Sequence, residues 1–254
     1  MDAGADCKWR DSVGRSLAFF CVQHLVCIKF LHQNGVDVAE PDDQKTSCLH
    51  VAAEEGNTAV MDYLINRMKV DPQIYDIDGD TPFHAAARAG KLEAMKFLNK
   101  TVGGRHGALD AETGYNQATP VHLSAMNGHI DVVAYLISSG VVDINAQDFD
   151  GRTALSCACA DGAEDVVKLM VTEGARMDVA DNDGYKPLHH AALNEHDSIV
   201  KYLLVQTAMQ RLNDEAAQGP QMRRQLREYR ASQAKEDLDS FDIPAPSYGA
   251  EGLD

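Results

Sequence analysis

Apolar positions recur with a helical period in residues 119–140. Four of them lie at i, i+1, i+4 and i+5 and form one stripe on a helix: Val132, Val133, Leu136 and Ile137. Upstream, Thr119 is suited to cap an earlier helix whose first residue is Pro120, and Gly128 suits the left-handed backbone that ends that helix. The stretch predicts two short helices joined by a tight turn. Neither helix can bury its apolar face alone, so neighbouring helices are expected.

The same frame recurs four more times along the chain. It stands as Ser47-Cys48-Leu49-His50, Thr81-Pro82-Phe83-His84, Thr153-Ala154-Leu155-Ser156 and Lys186-Pro187-Leu188-His189. Positions 50, 84, 122, 156 and 189 follow one another at intervals of 34, 38, 34 and 33 residues. A glycine six residues further on recurs as Gly56, Gly90, Gly128 and Gly162.

This frame resembles the ankyrin repeat, whose signature is Thr-Pro-Leu-His followed by Ala, Gly and an apolar helix. The resemblance implies an all-α ankyrin-repeat solenoid of about six helix-turn-helix repeats joined by hairpin-like loops. We place the array at 13–213, with repeats near 13–41, 42–75, 76–113, 114–147, 148–180 and 181–213. A loose leader (1–12), a C-terminal helical segment (214–235) and an acidic disordered tail (236–254) complete the expected organisation.

Several positions depart from the family pattern. Lys45 replaces the hairpin glycine of the second repeat, so that turn is expected to differ, and Glu195 replaces the helix-ending glycine of the sixth, so that turn is expected to be re-formed or loosened. The interval of 38 residues predicts an outward loop over 101–114. The first repeat lacks the Thr-Pro-Leu-His frame, as expected of a terminal capping repeat.

Charge and composition narrow the function classes. The formal net charge is −16, which disfavours broad contact with nucleic acid or an anionic membrane and favours a partner with a basic surface. The apolar run Leu17–Ile28 is too short to span a bilayer. All six cysteines lie in apolar helical patterns, so we interpret them as small buried hydrophobes in a reducing compartment, the cytoplasm with the nucleus as alternative.

Candidate chemistry does not favour an enzyme. In ankyrin proteins the recurring histidine bonds to the backbone of its own or the next repeat, which the resemblance implies for His50, His84, His122 and His189. His190 and His196 are expected to be surface residues. Cys157 and Cys159 lie two residues apart on a helix and point to nearly opposite sides, which disfavours a shared metal ion. We expect no catalytic residue, cofactor or metal.

The resemblance implies partner binding through a concave face and the hairpin tips, with the protein a monomer. The candidate contacts are Ile77, Asp78, Asp80, Arg88, Tyr115, Asn116, Met126, Asn127, Phe149, Asp150, Arg152, Asp161, Asn182, Asp183, Tyr185 and Asn194. Five of them are apolar or aromatic where a bare scaffold needs only polar residues, and aspartates surround them. An apolar centre with a charged rim is typical of a protein interface.

The hypothesis is therefore a non-catalytic intracellular interaction module: an adaptor, scaffold or inhibitor. The alternatives are a regulatory ankyrin portion of a larger enzyme or channel system, an unrecognised enzyme, and self-assembly through the repeat ends. The helix near Met222–Lys235 has two interpretations, a cap docked on the last repeat or a basic amphipathic segment that folds on a partner.

Overall fold

The computed structural model describes residues 9–102 and 116–217, with side chains to Arg211. The chain divides into two compact units, residues 1–203 and 204–254. The predicted loop over 101–114, the helix over 214–235 and the tail lie wholly or almost wholly outside the described residues, as does most of the leader.

Helices account for nearly all regular structure in the described residues. They are α1 Leu17–Phe20, α2 Leu25–Gln33, α3 Cys48–Glu55, α4 Thr58–Asp62, α5 Pro82–Arg88, α6 Leu92–Thr101, α7 Pro120–Met126, α8 Ile130–Ser138, α9 Ala154–Asp161, α10 Glu164–Thr172, α11 Pro187–Leu193 and α12 Asp197–Ala217. A π-helical segment, Tyr63–Arg67, continues α4. Two isolated antiparallel bridges, Arg10 with Ser16 and Gln147 with Thr153, are the β-type pairings in these ranges. The all-α prediction is confirmed.

The helices of residues 1–203 form two rows. In the inner row α3, α5, α7, α9 and α11 contact one another in succession, and in the outer row α2, α4, α6, α8 and α10 do the same. The apolar stripes meet between the rows, where Leu49, Leu64, Met95, Leu136 and Leu155 are fully buried. Burial of such side chains stabilises a fold by about 1.5–3 kcal/mol each.

Each inner helix begins as the sequence frame predicts. Thr81 and Thr119 stand in extended backbone before α5 and α7, and Pro82 and Pro120 occupy the first helical position. Because proline lacks an N–H and has a helical φ, it suits a site whose amide would have no helical partner.

The turn at Lys45 does not differ from the others, contrary to expectation. Lys45 adopts φ 59° and its N–H donates to the Asp42 carbonyl at 2.9 Å, as the N–H of Gly151 does to Asp148. A side-chain oxygen of Asp42 accepts from the amides of Gln44 and Thr46, both at 2.9 Å. These bonds hold the lysine in a conformation that costs about 1 kcal/mol or more.

The turn at Glu195 is likewise kept, so the expected loosening is wrong. Glu195 adopts φ 60°, and the following His196 N–H donates to the Ala191 carbonyl at 2.9 Å, the bond that Lys91 makes to Ala86 after Gly90. Lys69 and Gln117 are two further non-glycine residues with positive φ. The repeat geometry therefore overrides the local preference at several positions.

One inserted residue explains the π-helical segment. The second and third frames are 34 residues apart, one more than the last pair, and the Met68 N–H donates to the Tyr63 carbonyl at 3.2 Å. A π turn absorbs such an insertion without ending the helix.

The turn of the first repeat lies across the boundary expected at residue 13. The Asp11 N–H donates to Arg15 at 3.0 Å and the Gly14 N–H to Asp11 at 3.1 Å, the pattern of the later hairpins. At the other end α12 continues to Ala217. No helix of the described residues is both long and apolar enough to cross a membrane.

Candidate partner-binding surface

Backbone hydrogen bonds join the hairpin tips into a ladder. The second residue of each tip donates its N–H to the third residue of the preceding tip: Ile77 to Gln44 at 2.9 Å, Phe149 to Asn116 at 2.9 Å, and Asn182 to Asp150 at 3.0 Å. Within each tip an aspartate carboxylate accepts two backbone amides, as Asp76 does from Asp78 and Asp80 at 3.0 and 2.8 Å. The backbone of the tips is therefore held in place by the scaffold.

Two apolar side chains project from this ladder. Ile77 and Phe149 are each 63% exposed although their backbone N–H groups are bonded. Tyr115 occupies the same position of the intervening frame in the sequence, but it lies outside the described residues. We name the exposed residues of the tips the turn-tip surface: Ile77, Asp78, Asn116, Phe149, Asp150, Asn182 and Asp183.

Two aspartates near the tips are buried instead and serve the fold. Asp80 is 4% exposed and its carboxylate pairs with Arg88, whose side chain is half exposed. Asp148 is also buried and accepts from the half-buried Arg152, which lies 3.0 Å from Asp150 as well. The predicted contacts Asp80 and Arg152 thus make internal ion pairs, which leaves exposed acids at Asp78, Asp150 and Asp183.

The candidate residues at the inner-helix ends are less uniform. Asn127 and Asn194 are exposed, and their side-chain amides donate to the carbonyls of Leu123 and His190 at 2.8 and 2.9 Å, which caps the helices. Asp161 is exposed and Met126 is half-buried.

Tyr185 is half-buried, although sequence reasoning grouped it with the exposed aromatic residues. Its ring lies edge-on to His189 and His190, with centroids 6.1 and 6.0 Å apart. A change at Tyr185 therefore alters packing as well as any surface.

The recurring histidines are structural in the way the resemblance implies. Nδ1 of His50 accepts from the Ser47 amide at 3.1 Å while Nε2 donates to the Asp80 carbonyl of the next repeat at 3.0 Å. His122 makes the same pair of links, from Thr119 at 3.2 Å and to Ala146 and Arg152 at 3.0 and 3.1 Å.

Burial lowers the pKa of both rings, so they stay neutral near pH 7 and each holds one donor and one acceptor. No cluster of three or more candidate metal-ligating side chains occurs within the described ranges.

A second set of links runs in the opposite direction, and sequence reasoning missed it. The residue after each inner-helix stop reaches back to the preceding repeat: Nδ2 of Asn57 donates to Val22 at 3.1 Å, Nε2 of His129 to Arg88 at 2.9 Å, and Nε2 of His196 to Ala160 at 3.0 Å. His196 is half-buried, so its assignment as a surface residue was wrong. Its recurrence directly after the glycine position was the available signal.

The cysteines fall into two groups. Cys48, Cys157 and Cys159 are buried, and burial raises the pKa of each thiol to about 12. Cys21 is half-buried and Cys27 is exposed, so the interpretation of every cysteine as a buried hydrophobe is wrong for this pair.

Comparison with known proteins places this geometry in a family. A model for ankyrin repeats in three copies matches residues 68–148 and 140–214, and a model for ankyrin repeats in many copies matches 23–65.

Relatives include the transient receptor potential cation channel subfamily A member 1 of Homo sapiens, 26% identical over 64% of this chain and 14% of the channel. The ankyrin repeat protein nuc-2 of Neurospora crassa is 29% identical over 81% of this chain and 19% of its own length. The palmitoyltransferase AKR1 of Lachancea kluyveri is 29% identical over 71% and 26%. The chain spans about a quarter or less of each of these three relatives. Because the family models cover most of its length, the chain belongs to the ankyrin-repeat family.

Proposed function

We propose that this chain is a non-catalytic protein-interaction module that acts as an adaptor, scaffold or inhibitor and binds its partner through the turn-tip surface. Ankyrin repeats bind protein partners, and repeat domains of this kind are generally non-catalytic. The carrying observation is the pairing of fixed backbone with exposed apolar side chains at Ile77 and Phe149.

This pairing lowers the cost of association. A tip whose amides already bond to the scaffold loses little conformational freedom when a partner docks, so more of the contact energy appears as affinity. Large apolar side chains at the centre of a contact contribute most of the energy of typical interfaces. We expect docking without large rearrangement of the tips.

The charge around the two side chains indicates the chemistry of the partner. Asp78, Asp150 and Asp183 are exposed beside them, and the chain as a whole carries −16. Such a surface speeds encounter with a basic partner and loses that advantage as salt screens the charges. We propose a basic protein surface as the partner, bound by a cytoplasmic monomer.

A second candidate role follows from the relatives. The chain corresponds to 14% of a cation channel and 26% of a palmitoyltransferase, so the same surface could act as a regulatory ankyrin portion within a larger enzyme or channel system. The two roles differ in what is bound: a separate protein, or another part of the same protein.

The test compares Ile77→Ala plus Phe149→Ala with wild type. Immobilised proteins are exposed to native cell extract, retained proteins are quantified by mass spectrometry, and the leading basic candidate is titrated at two salt concentrations. Loss of two exposed apolar anchors should weaken binding by about 10-fold or more, since each contributes about 1 kcal/mol or more. Helical circular dichroism and the melting temperature should stay unchanged.

Val26→Ala is the matched control, because Val26 is 79% exposed and lies on α2, away from the tips. Equal affinity of the double variant and wild type would refute the turn-tip assignment. Retention of an acidic partner, or affinity independent of salt, would refute the proposed charge complementarity.

A further inference from the structure

In the later repeats two positions, one on each helix, are buried throughout. They are Ala52 and Val60, Ala86 and Ala94, Ser124 and Val132, Ala158 and Val166, and Ala191 and Ile199, with exposures of 0 or 1%. The members of each pair are eight residues apart. These positions accept only small or apolar side chains because both helices and their neighbours close over them.

The first repeat has cysteines at the corresponding positions. Cys21 directly follows α1, and Cys27 precedes the buried Ile28 just as Val60 precedes the buried Met61. Their separation is six residues, because the connection between α1 and α2 is shorter. No helix precedes α1 in the part of the chain that the structure describes, so Cys27 is exposed and Cys21 half-buried.

The two thiols contact each other. A side-chain hydrogen bond joins Cys21 and Cys27, and burial, together with this bond, raises the pKa of the Cys21 thiol. The intervening backbone is fixed, since the His24 N–H donates to Cys21 at 2.8 Å and the Cys27 N–H to His24 at 3.0 Å. Contact between side chains on a held backbone is the geometric condition for a disulfide.

We propose that Cys21 and Cys27 are a reversible thiol–disulfide modification site that exchanges with a low-molecular-weight disulfide such as oxidised glutathione. The exposed Cys27 thiolate attacks one sulfur of the glutathione disulfide, which forms a mixed disulfide and releases one glutathione thiolate. Cys21 then gives its proton to solvent and attacks the Cys27 sulfur, which expels the second glutathione. Two protein thiols lose two electrons and two protons, and one glutathione disulfide becomes two glutathione thiols.

The other described cysteines do not compete. Cys48, Cys157 and Cys159 are buried, and their thiols remain protonated. Because the thiolate is the reactive form, exchange should be confined to the first repeat.

The experiment equilibrates the folded full-length chain with oxidised glutathione at neutral pH, quenches it by alkylation and maps the peptides by mass spectrometry. We expect a product lighter than the reduced chain by two hydrogen atoms, with the bridge between residues 21 and 27, and full reversal by reduced glutathione. Stable glutathione adducts without a bridge, a bridge to any other cysteine, or no reaction would each overturn the proposal.

Matched variants test the order of the steps. Cys21→Ser should stop at the glutathione adduct on Cys27, and Cys27→Ser should lose exchange at residue 21 by at least 10-fold. Cys48→Ser should react as wild type does. An adduct on Cys21 in the Cys27→Ser variant at the wild-type rate would overturn the assignment of Cys27 as the attacking group. Circular dichroism shows that each variant is folded before it is used.

Discussion

The first repeat and the interior repeats share one local design but differ in what surrounds it. The turn at Asp11–Arg15 has the bonds of the turn at Asp148–Arg152, and each is followed by an inner helix. Phe20 of α1 is 57% exposed, next to Trp9 and beneath the Arg15 guanidinium.

The outer helices show the same contrast. Phe30 of the first repeat is 60% exposed, whereas its counterparts Tyr63 and Tyr135 are half-buried. Tyr63 lies 2.7 Å from Nδ1 of His32, and Tyr135 accepts from Asn99 at 3.0 Å, each a residue of the preceding repeat. The comparison teaches that turns and helices form from local sequence, while burial and side-chain partners come from the neighbour.

Removing a histidine link inside the array should have the largest effect. His122 is fully buried and bonded to both its own and the next repeat, whereas the first repeat has Phe19 at this position. His122→Ala leaves an amide and carbonyls unpaired and a cavity, so we expect a loss of about 3 kcal/mol in the free energy of unfolding. Urea denaturation followed by circular dichroism measures this loss.

The pH dependence gives this prediction its sign. Burial holds the pKa of His122 below 6.5, so the unfolded chain binds the proton more readily. The histidine's contribution is complete above pH 6.5 and falls as the pH drops below it. The variant should show a shallower loss of stability between pH 7 and about pH 5. The half-buried His189 is the control, and an equal cost for His189→Ala would contradict the role given to burial.

Glycine substitutions should separate the neighbour from the local backbone. Gly35 of the first repeat and Gly90 of the third both have positive φ, 80° and 68°. A methyl group at Gly35 meets nothing within 4 Å, whereas at Gly90 it would lie 2.5 Å from the His129 ring. We expect Gly35→Ala to cost about 1 kcal/mol and Gly90→Ala about 3 kcal/mol, since the latter also displaces the bond from His129 to Arg88.

A double-mutant cycle sharpens that test. In the background His129→Ala, the added cost of Gly90→Ala should fall to about 1 kcal/mol, because only the backbone conformation remains unfavourable. Additive costs would show that the ring is not what excludes the methyl group.

The smallest expected effect is a gain at the last repeat. Glu195 holds φ 60° where earlier repeats have glycine. Glu195→Gly should raise the free energy of unfolding by about 0.5–1 kcal/mol, because relief of the left-handed conformation exceeds the added freedom of the unfolded chain. Thermal unfolding measures it, with Glu173→Gly as control, since Glu173 follows α10 with φ −82° and should gain nothing. A lower melting temperature for Glu195→Gly would contradict the strain argument.

Much of the fold could be predicted from residues that act locally. Thr119, Pro120 and Gly128 define where α7 begins and ends through capping, a fixed φ and a permitted left-handed turn, and these depend on a few adjacent residues. The role of His122 was accessible because the motif recurs. The turns at Lys45 and Glu195 were predicted wrongly, since local preference was allowed to outweigh bonds supplied by the repeat.

The candidate surface was only partly accessible from sequence. Ile77 and Phe149 are exposed, but Asp80 is buried against Arg88 and Tyr185 packs on two histidines. Sequence position gives the place of a residue within a repeat. It does not show which groups from other elements lie over that residue.

The sequence by itself determined the repeat frame, the helices and the links through the recurring histidines, because their causes lie within one repeat length. The tertiary structure alone decided the back-reaching bonds of Asn57, His129 and His196, the left-handed lysine and glutamate, and the exposure of the Cys21–Cys27 pair. The physical reason is that stacking brings together residues more than thirty positions apart, and the contacts made there set burial, hydrogen bonding and backbone conformation.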